Sequence, residues 1–276
     1  MLTDIFVPLL TYPDADTTSL IDAAVSFTKP FATGLEFCTF EVDIPLIAYS
    51  MGVGYVDVSP LIAEAEKLSH ATAKRLETHI TAIDGTTTVT TTSTRMAEAQ
   101  IPYAATAMAQ LRDMSIVQLL PNAAGQRRLA EALIFGSGRP VLVVPDAPDP
   151  SWTPKNIAVC WDGSRAATRA IHDAMDMLVR AKTVTLLTAL DDKKVEDGVV
   201  AGLVSYLGRH GIEARHSDVH SSGIPIGRAL QTSALEYGAG VLVMGAFGHS
   251  RIREFVLGGA TKSVLDETML PLFLSH

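Results

Sequence analysis

The amino-acid sequence predicts an α/β protein of two domains in tandem, each with five parallel strands separated by helices. Three observations support this class. Short apolar runs alternate with segments of helical periodicity, the same order of segments occurs twice, and a proline-rich stretch separates the two copies. A chain of 276 residues is long enough for two ordinary domains. Because strands connected through helices run parallel, each copy predicts one parallel sheet.

The first copy occupies residues 1–146. Residues 4–10 form a short apolar run, which indicates a strand. Helical spacing places Leu20, Ala23 and Phe27 on one face of a helix. The stretch 86–95 is rich in threonine, a β-branched residue that favours strands. The predicted strands are 4–10, 35–42, 86–95, 115–120 and 139–145, and the predicted helices are 18–28, 60–80, 101–111 and 126–135.

Residues 147–155 form the predicted linker, in which Pro148, Pro150 and Pro154 favour extended, stiff backbone. The second copy, residues 156–276, repeats the order of the first: 156–161 matches 4–9, and 270–274 matches 139–143. Residues 211–219 are more polar than the other strands, which predicts a position near a sheet edge. The predicted strands are 156–161, 184–190, 211–219, 241–244 and 270–274, and the predicted helices are 166–179, 199–209, 225–237 and 262–267.

Composition limits the possible partners. The net charge of −8 argues against nucleic acid and anionic membranes, which bind basic surfaces.

Cys38 and Cys160 lie far apart, each in a predicted strand, which favours buried thiols in a reducing compartment over a disulfide or a metal site. The N-terminus lacks the basic region of a signal peptide, and no apolar stretch is long enough to span a membrane. We therefore expect a cytoplasmic protein.

Two glycine clusters follow the apolar strand 241–244. Gly245 and Gly248 come directly after it, and Gly258 and Gly259 precede the last predicted helix, with Arg251 between the clusters. Glycine allows the backbone to approach a ligand closely, and the free N–H groups at a helix N-terminus bind anions. The pattern predicts a phosphate-binding loop. A tight loop that needs glycine only for packing would have the same spacing.

The spacing Gly245-x2-Gly248-x9-Gly258 resembles the ATP-binding signature of the universal stress protein family. The resemblance implies a flavodoxin/Rossmann-like sheet in each domain, with strand order 3-2-1-4-5, helices on both faces, and pairing of the two domains through their last strands. It also implies an adenine nucleotide of the ATP type, with Mg²⁺ or Mn²⁺ accompanying its phosphates. In the family the last glycine is usually followed by serine. Gly259 stands at that position here, so one hydroxyl donor is missing.

Asp162, Gly163 and Ser164 follow the first strand of the second copy, at the edge where open α/β sheets bind ligands. In the resembling family an aspartate in this context contacts adenine, and the resemblance implies that role for Asp162. The alternative is that the aspartate or the serine caps the next helix. The predicted site has no catalytic residue and no metal ligand, and it consists of Asp162, Gly163, Gly245, Gly248, Arg251, Gly258, Gly259, Ala260 and Thr261.

The first copy lacks both parts of this pattern. Leu10 stands where Asp162 would align, and no paired glycines precede the helix 126–135. We therefore expect one nucleotide site per chain and a structural role for the first domain. The predicted function is stress signalling through bound nucleotide, since no side chain is placed to activate water. Two alternatives stay open, an interaction module that binds no nucleotide and a weak ATP hydrolase. Monomer and homodimer are both compatible with the sequence.

Overall fold

A computed structural model of the chain describes residues 2–13, 17–31, 34–45, 57–83, 88–146, 153–190, 197–246 and 259–276. The predicted domain boundaries at 146 and 156 remain predictions, and residues 147–152 of the predicted linker lie outside the described part of the chain.

Apolar runs form the inner strands of the first half, as the sequence predicts. Every residue of the fourth and fifth strands is buried, whereas the threonine-rich third strand is largely exposed. The strands are β1 Asp4–Leu10, β2 Gly34–Val42, β3 Thr88–Met96, β4 Met114–Gln118 and β5 Val141–Val144, and the helices are α1 Thr18–Thr28, α2 Ser59–Thr81, α3 Ile101–Ala109 and α4 Ala124–Gly136.

The second half repeats this order with one interruption. The predicted helix 166–179 is divided at Ala174, whose ψ of −2° departs from that of a regular helix. Asp173, just before the break, accepts hydrogen bonds from Arg169 and from the Ser275 hydroxyl of the last strand. The strands are β6 Asn156–Cys160, β7 Thr183–Ala189, β8 Ala214–Val219, β9 Val241–Gly245 and β10 Leu272–Ser275, and the helices are α5 Arg165–Asp173, α6 Met175–Leu178, α7 Asp197–Arg209, α8 Ile226–Glu236 and α9 Gly259–Asp266.

All ten strands belong to one sheet, in the order β3-β2-β1-β4-β5-β10-β9-β6-β7-β8. Within each half the strands run parallel, and the order 3-2-1-4-5 is confirmed for both halves. The halves meet at β5 and β10, which pair antiparallel with Leu142 opposite Phe273. The polar strand β8 lies at one outer edge, as predicted, and β3 lies at the other.

Helices cover both faces of the sheet, which confirms the predicted class. One hydrophobic core lies beneath α1, α2, α5, α6 and α7, and a second core, on the opposite face, lies beneath α3, α4, α8 and α9. Two cores form because alternate residues of the apolar strands point to opposite faces of the sheet. Each core contains residues of both halves.

Candidate functional site

The crevice between β6 and β9 is the point at which the second half-sheet changes its winding direction. These strands are neighbours, with Ala158 opposite Leu242. The helix that follows β6, α5, packs on the first core, whereas the helix that follows β9, α9, packs on the second core. The carboxyl ends of β6 and β9 therefore open between helices on opposite faces, where doubly wound sheets bind their ligands.

Residues 162–164 form a tight turn between β6 and α5. Asp162 is exposed, and its Oδ1 accepts a hydrogen bond from the backbone N–H of Ser164 (2.9 Å). Gly163 has a φ of +71°, a conformation that favours glycine. Ser164 caps α5, because its hydroxyl accepts from the N–H of Ala167 (3.1 Å). The capping role considered for this segment thus falls to Ser164, and the exposed Asp162 carboxylate is fixed beside the crevice.

The charge of Asp162 acts on the end of β6. The pKa of the Cys160 thiol is raised to about 12, first because the thiol is buried and second because the Asp162 carboxylate is close to it. The Cys160 thiol is therefore protonated at neutral pH. Of the two cysteines expected to be buried, Cys38 is buried, whereas Cys160, at the end of β6, is only partly buried. Trp161, between them, is buried, and its indole N–H has no hydrogen-bond partner in the described part of the chain.

Gly245 ends β9 directly against the first turn of α5. A Cβ atom at this position would lie 2.5 Å from the Ala166 carbonyl carbon and from the Ala167 nitrogen. The strand and the helix can approach this closely only because residue 245 has no side chain. The glycine spacing predicts that the backbone at Gly245 approaches a ligand. The structure gives it a packing role, and a ligand contact stays a prediction.

The third predicted part of the site is the N-terminus of α9, which begins three residues earlier than predicted. Gly259, Ala260 and Thr261 consequently lie in its first helical turn, where backbone N–H groups lack intrahelical acceptors. No described atom lies within 4 Å of a Cβ placed on Gly259. Thr261, in contrast, is only 3% exposed, so its side chain faces the protein.

The described residues thus bring the 162–163 turn and Gly245 together around the start of α5. Gly248, Arg251 and Gly258 lie outside the described residues. That all nine predicted residues contact one ligand stays a prediction.

Two contacts that the sequence did not indicate anchor the chain just after Gly245. The N–H of Ala246 donates to the carbonyl of Ser275 (2.7 Å), and its carbonyl accepts from Nδ1 of His276 (2.9 Å). The His276 ring packs edge-on against Phe135 of α4, with the ring centroids 5.6 Å apart. The start of the predicted phosphate loop is therefore attached to β10 and, through it, to the first half. No local sequence pattern signals such long-range contacts.

The equivalent point of the first half, between the ends of β1 and β4, carries a buried polar side chain. The pairing of Ile5 with Met114, which matches that of Ile157 with Val241, makes Gln118 the counterpart of Gly245. The Gln118 carboxamide is buried and donates to the Ser19 hydroxyl (3.0 Å) and to the carbonyls of Pro145 (3.3 Å) and Asp146 (2.9 Å). A polar residue at the end of β4, where the second copy has glycine, is the sequence signal that could have identified this difference.

The described residues contain neither a metal-binding cluster nor a membrane-spanning helix. No group of three or more His, Cys, Asp or Glu side chains there could hold a metal ion. None of the helices described combines the length and apolar character needed to cross a bilayer.

The sheet order and the crevice define a tandem, doubly wound α/β protein, and solved structures share this architecture over nearly the whole chain. A universal stress protein from Archaeoglobus fulgidus DSM 4304 matches with a TM-score of 0.68 at 14% identity, covering 98% of this chain and 97% of that one. Two further matches come from Pseudomonas aeruginosa. One is a protein of unknown function from strain PAO1 (TM-score 0.57, 15% identity), and the other is a proposed universal stress protein from strain UCBPP-PA14 (TM-score 0.56, 17% identity). Each match covers 98% of this chain and 92% of the other chain.

This chain therefore has the fold of universal stress proteins, in its tandem form. No protein-family model and no curated protein matches the sequence.

Proposed function

We propose that this chain is a tandem universal stress protein that binds one adenine nucleotide of the ATP type at the crevice between β6 and β9 and signals stress through the bound state. The observation that carries the proposal is that the Asp162 turn and Gly245, about eighty residues apart in sequence, meet at the point where this half-sheet changes its winding direction. Glycine spacing alone would fit a packing loop.

The proposed roles combine the family resemblance with the local geometry of the described residues. The exposed Asp162 carboxylate contacts the adenine edge, next to Gly163. The N–H groups of the first turn of α9, at Gly259, Ala260 and Thr261, bind the phosphates, because helix N-termini favour anions. Gly248, Arg251 and Gly258 complete the loop, with Mg²⁺ or Mn²⁺ accompanying the phosphates. In the first half, Leu10 and the buried Gln118 side chain occupy the matching positions, which supports a single site per chain.

Binding of labelled ATP in equilibrium dialysis tests the proposal, together with mass spectrometry of small molecules released from undialysed protein. We expect about one nucleotide per chain and a roughly tenfold weaker affinity for Asp162→Ala, since a hydrogen bond to a charged group contributes about 1.5–3 kcal/mol. Asp218→Ala removes an exposed carboxylate from β8 in the same half and should leave affinity unchanged.

Each alternative predicts a different result. A wild-type protein that neither co-purifies with nucleotide nor binds added ATP refutes the proposal and favours an interaction module. ADP that appears faster than in a blank without protein favours a hydrolase instead.

A further inference from the structure

In the described part of the chain, β3 is an outermost strand with one edge unpaired. β3 spans nine residues, Thr88–Met96, and its side chains are exposed or half-exposed along its whole length. It contains no proline or lysine, which commonly protect sheet edges, and one charged residue, Arg95. At the opposite end of the sheet, β8 has six residues and carries Arg215, His216 and Asp218. Among the described strands, only β2 pairs with β3.

The register of β3 shows which of its backbone groups face outward. The N–H of Asp43, just after β2, donates to the carbonyl of Met96 (2.9 Å), so the backbone groups of Met96 point toward β2. Successive residues of a strand direct their N–H and C=O groups to alternate sides. Therefore Val89, Thr91, Ser93 and Arg95 present their N–H and C=O groups to the outside of the sheet.

We propose that β3 pairs antiparallel with β3 of a second copy of this chain, around a two-fold axis at Thr92. This register places Val89 opposite the partner's Arg95, and Thr91 opposite the partner's Ser93. All four outward-facing residues then form hydrogen-bonded pairs, which gives about eight backbone hydrogen bonds between the two copies. Pairing would join two ten-stranded sheets edge to edge.

The side chains of β3 are self-complementary in this register. On the other face Thr90 lies opposite the partner's Thr94, and Thr92 opposite the partner's Thr92, and cross-strand threonine pairs stabilise antiparallel sheets. Arg95 meets no like charge, because it is opposite valine and its guanidinium is already held by Glu66 (2.8 Å) and Asp43 (3.1 Å) of its own chain. A second copy is therefore a better match than an arbitrary extended segment, which would have to supply these small hydroxyl side chains by chance.

The protein already uses this mode of association within one chain, because β5 and β10 join its two halves by antiparallel pairing of edge strands. The β3 interface is small and lacks a large apolar surface, since its lining is mostly threonine. We therefore expect a dimer that dissociates on dilution rather than a permanent one.

Sedimentation velocity of the full chain from about 5 µM to about 500 µM tests the pairing. We expect conversion from monomer to dimer across this range. Thr92→Lys and Thr92→Glu place like charges opposite each other at the axis, on an exposed position, so each variant should remain monomeric, whereas their equimolar mixture should form a dimer. Arg215→Glu, on the far edge strand β8, is the matched control and should dimerise like wild type.

Hydrogen exchange at individual amides locates the interface. The amides of residues 89, 91, 93 and 95 should exchange quickly in the dilute protein and at least tenfold more slowly when it is dimeric. Wild-type protein that stays monomeric at every concentration overturns the proposal. So does a dimer that forms equally well from either Thr92 variant alone.

Discussion

Gly245→Ala is the substitution whose cost follows most directly from the structure. The added methyl carbon would lie 2.5 Å from two backbone atoms of α5, at Ala166 and Ala167, and 2.8 Å from the Ala166 side chain. Carbon atoms in contact prefer 3.5–4.0 Å, so the overlap is about 1 Å. Because the contacted atoms are mostly backbone, no rotamer change relieves the overlap, and β9 must separate from α5. Overpacking costs about 1–3 kcal/mol, and we expect about 3 kcal/mol here.

Urea unfolding followed by circular dichroism measures this free energy. The expected loss lowers the melting temperature by about 6–12 °C, since 1 kcal/mol corresponds to about 2–4 °C in a chain of this size. Gly259→Ala is the matched control: no described atom lies within 4 Å of the new methyl group, and alanine favours helices, so stability should be unchanged or higher by up to about 1 kcal/mol. A Gly245→Ala protein within about 0.5 kcal/mol of wild type would refute the assigned packing role.

Two further substitutions and one reactivity measurement test the turn and the crevice. Gly259→Ser places a hydroxyl at the first turn of α9, where no described atom lies within 4 Å of the new Cβ, and should strengthen ATP binding about tenfold in equilibrium dialysis, because hydrogen bonds to charged groups contribute about 1.5 kcal/mol or more. Ser164→Ala removes the cap of α5 and should lower the free energy of unfolding by about 1 kcal/mol, measured in urea. Cys160, with its pKa near 12 rather than 9.0, should react with iodoacetamide at pH 8 about a thousandfold more slowly in the folded than in the unfolded protein.

Each of these expectations has its own control. Gly259→Ala adds no hydroxyl, so an equal gain in ATP affinity would exclude the hydrogen bond as its cause. Ser164→Asp keeps a capping oxygen and should retain stability. For Cys160 the free energy of unfolding should depend on pH with a definite sign. The thiol ionises near pH 9 in the unfolded protein and near pH 12 in the folded protein. The contribution of Cys160 to the free energy of unfolding therefore falls as pH rises between these values. Cys160→Ala should flatten that decline, and an unchanged slope would contradict it.

The strands and helices were predictable because burial leaves a periodic trace in the sequence. Apolar runs such as β9 and the helical spacing of α1 are local signals, and the polar character of β8 was enough to predict an edge. The interruption at Ala174 was not predictable, since it accompanies contacts of Asp173 with Ser275, about a hundred residues away. Local patterns carry no information on such partners.

In the candidate site, too, local patterns were predictable and long-range contacts were not. Its glycines and Asp162 could be singled out from spacing, but the purpose of each glycine depends on what lies opposite it. Gly245 is required by the backbone of α5, whereas no described atom lies within 4 Å of a Cβ placed on Gly259, and the two glycines look alike in the sequence. In the first half, likewise, the Gln118 side chain donates to the carbonyl groups of Pro145 and Asp146, which follow the next strand, and spacing does not reveal these partners.

The antiparallel join between β5 and β10 also bears on how the two halves could come to differ. Two separate subunits that met through these strands would part on dilution, and each would have to keep the partner surface and the ligand crevice at once. Carried on one polypeptide, the partners stay at a high effective concentration whatever the abundance of the protein. For this pairing the first half needs only its β5 edge, so the ends of its β1 and β4 strands can carry residues unlike those of the second half, as Leu10 and Gln118 are unlike Asp162 and Gly245. A fused pair can thus have two different halves, which a symmetric dimer of identical subunits cannot have.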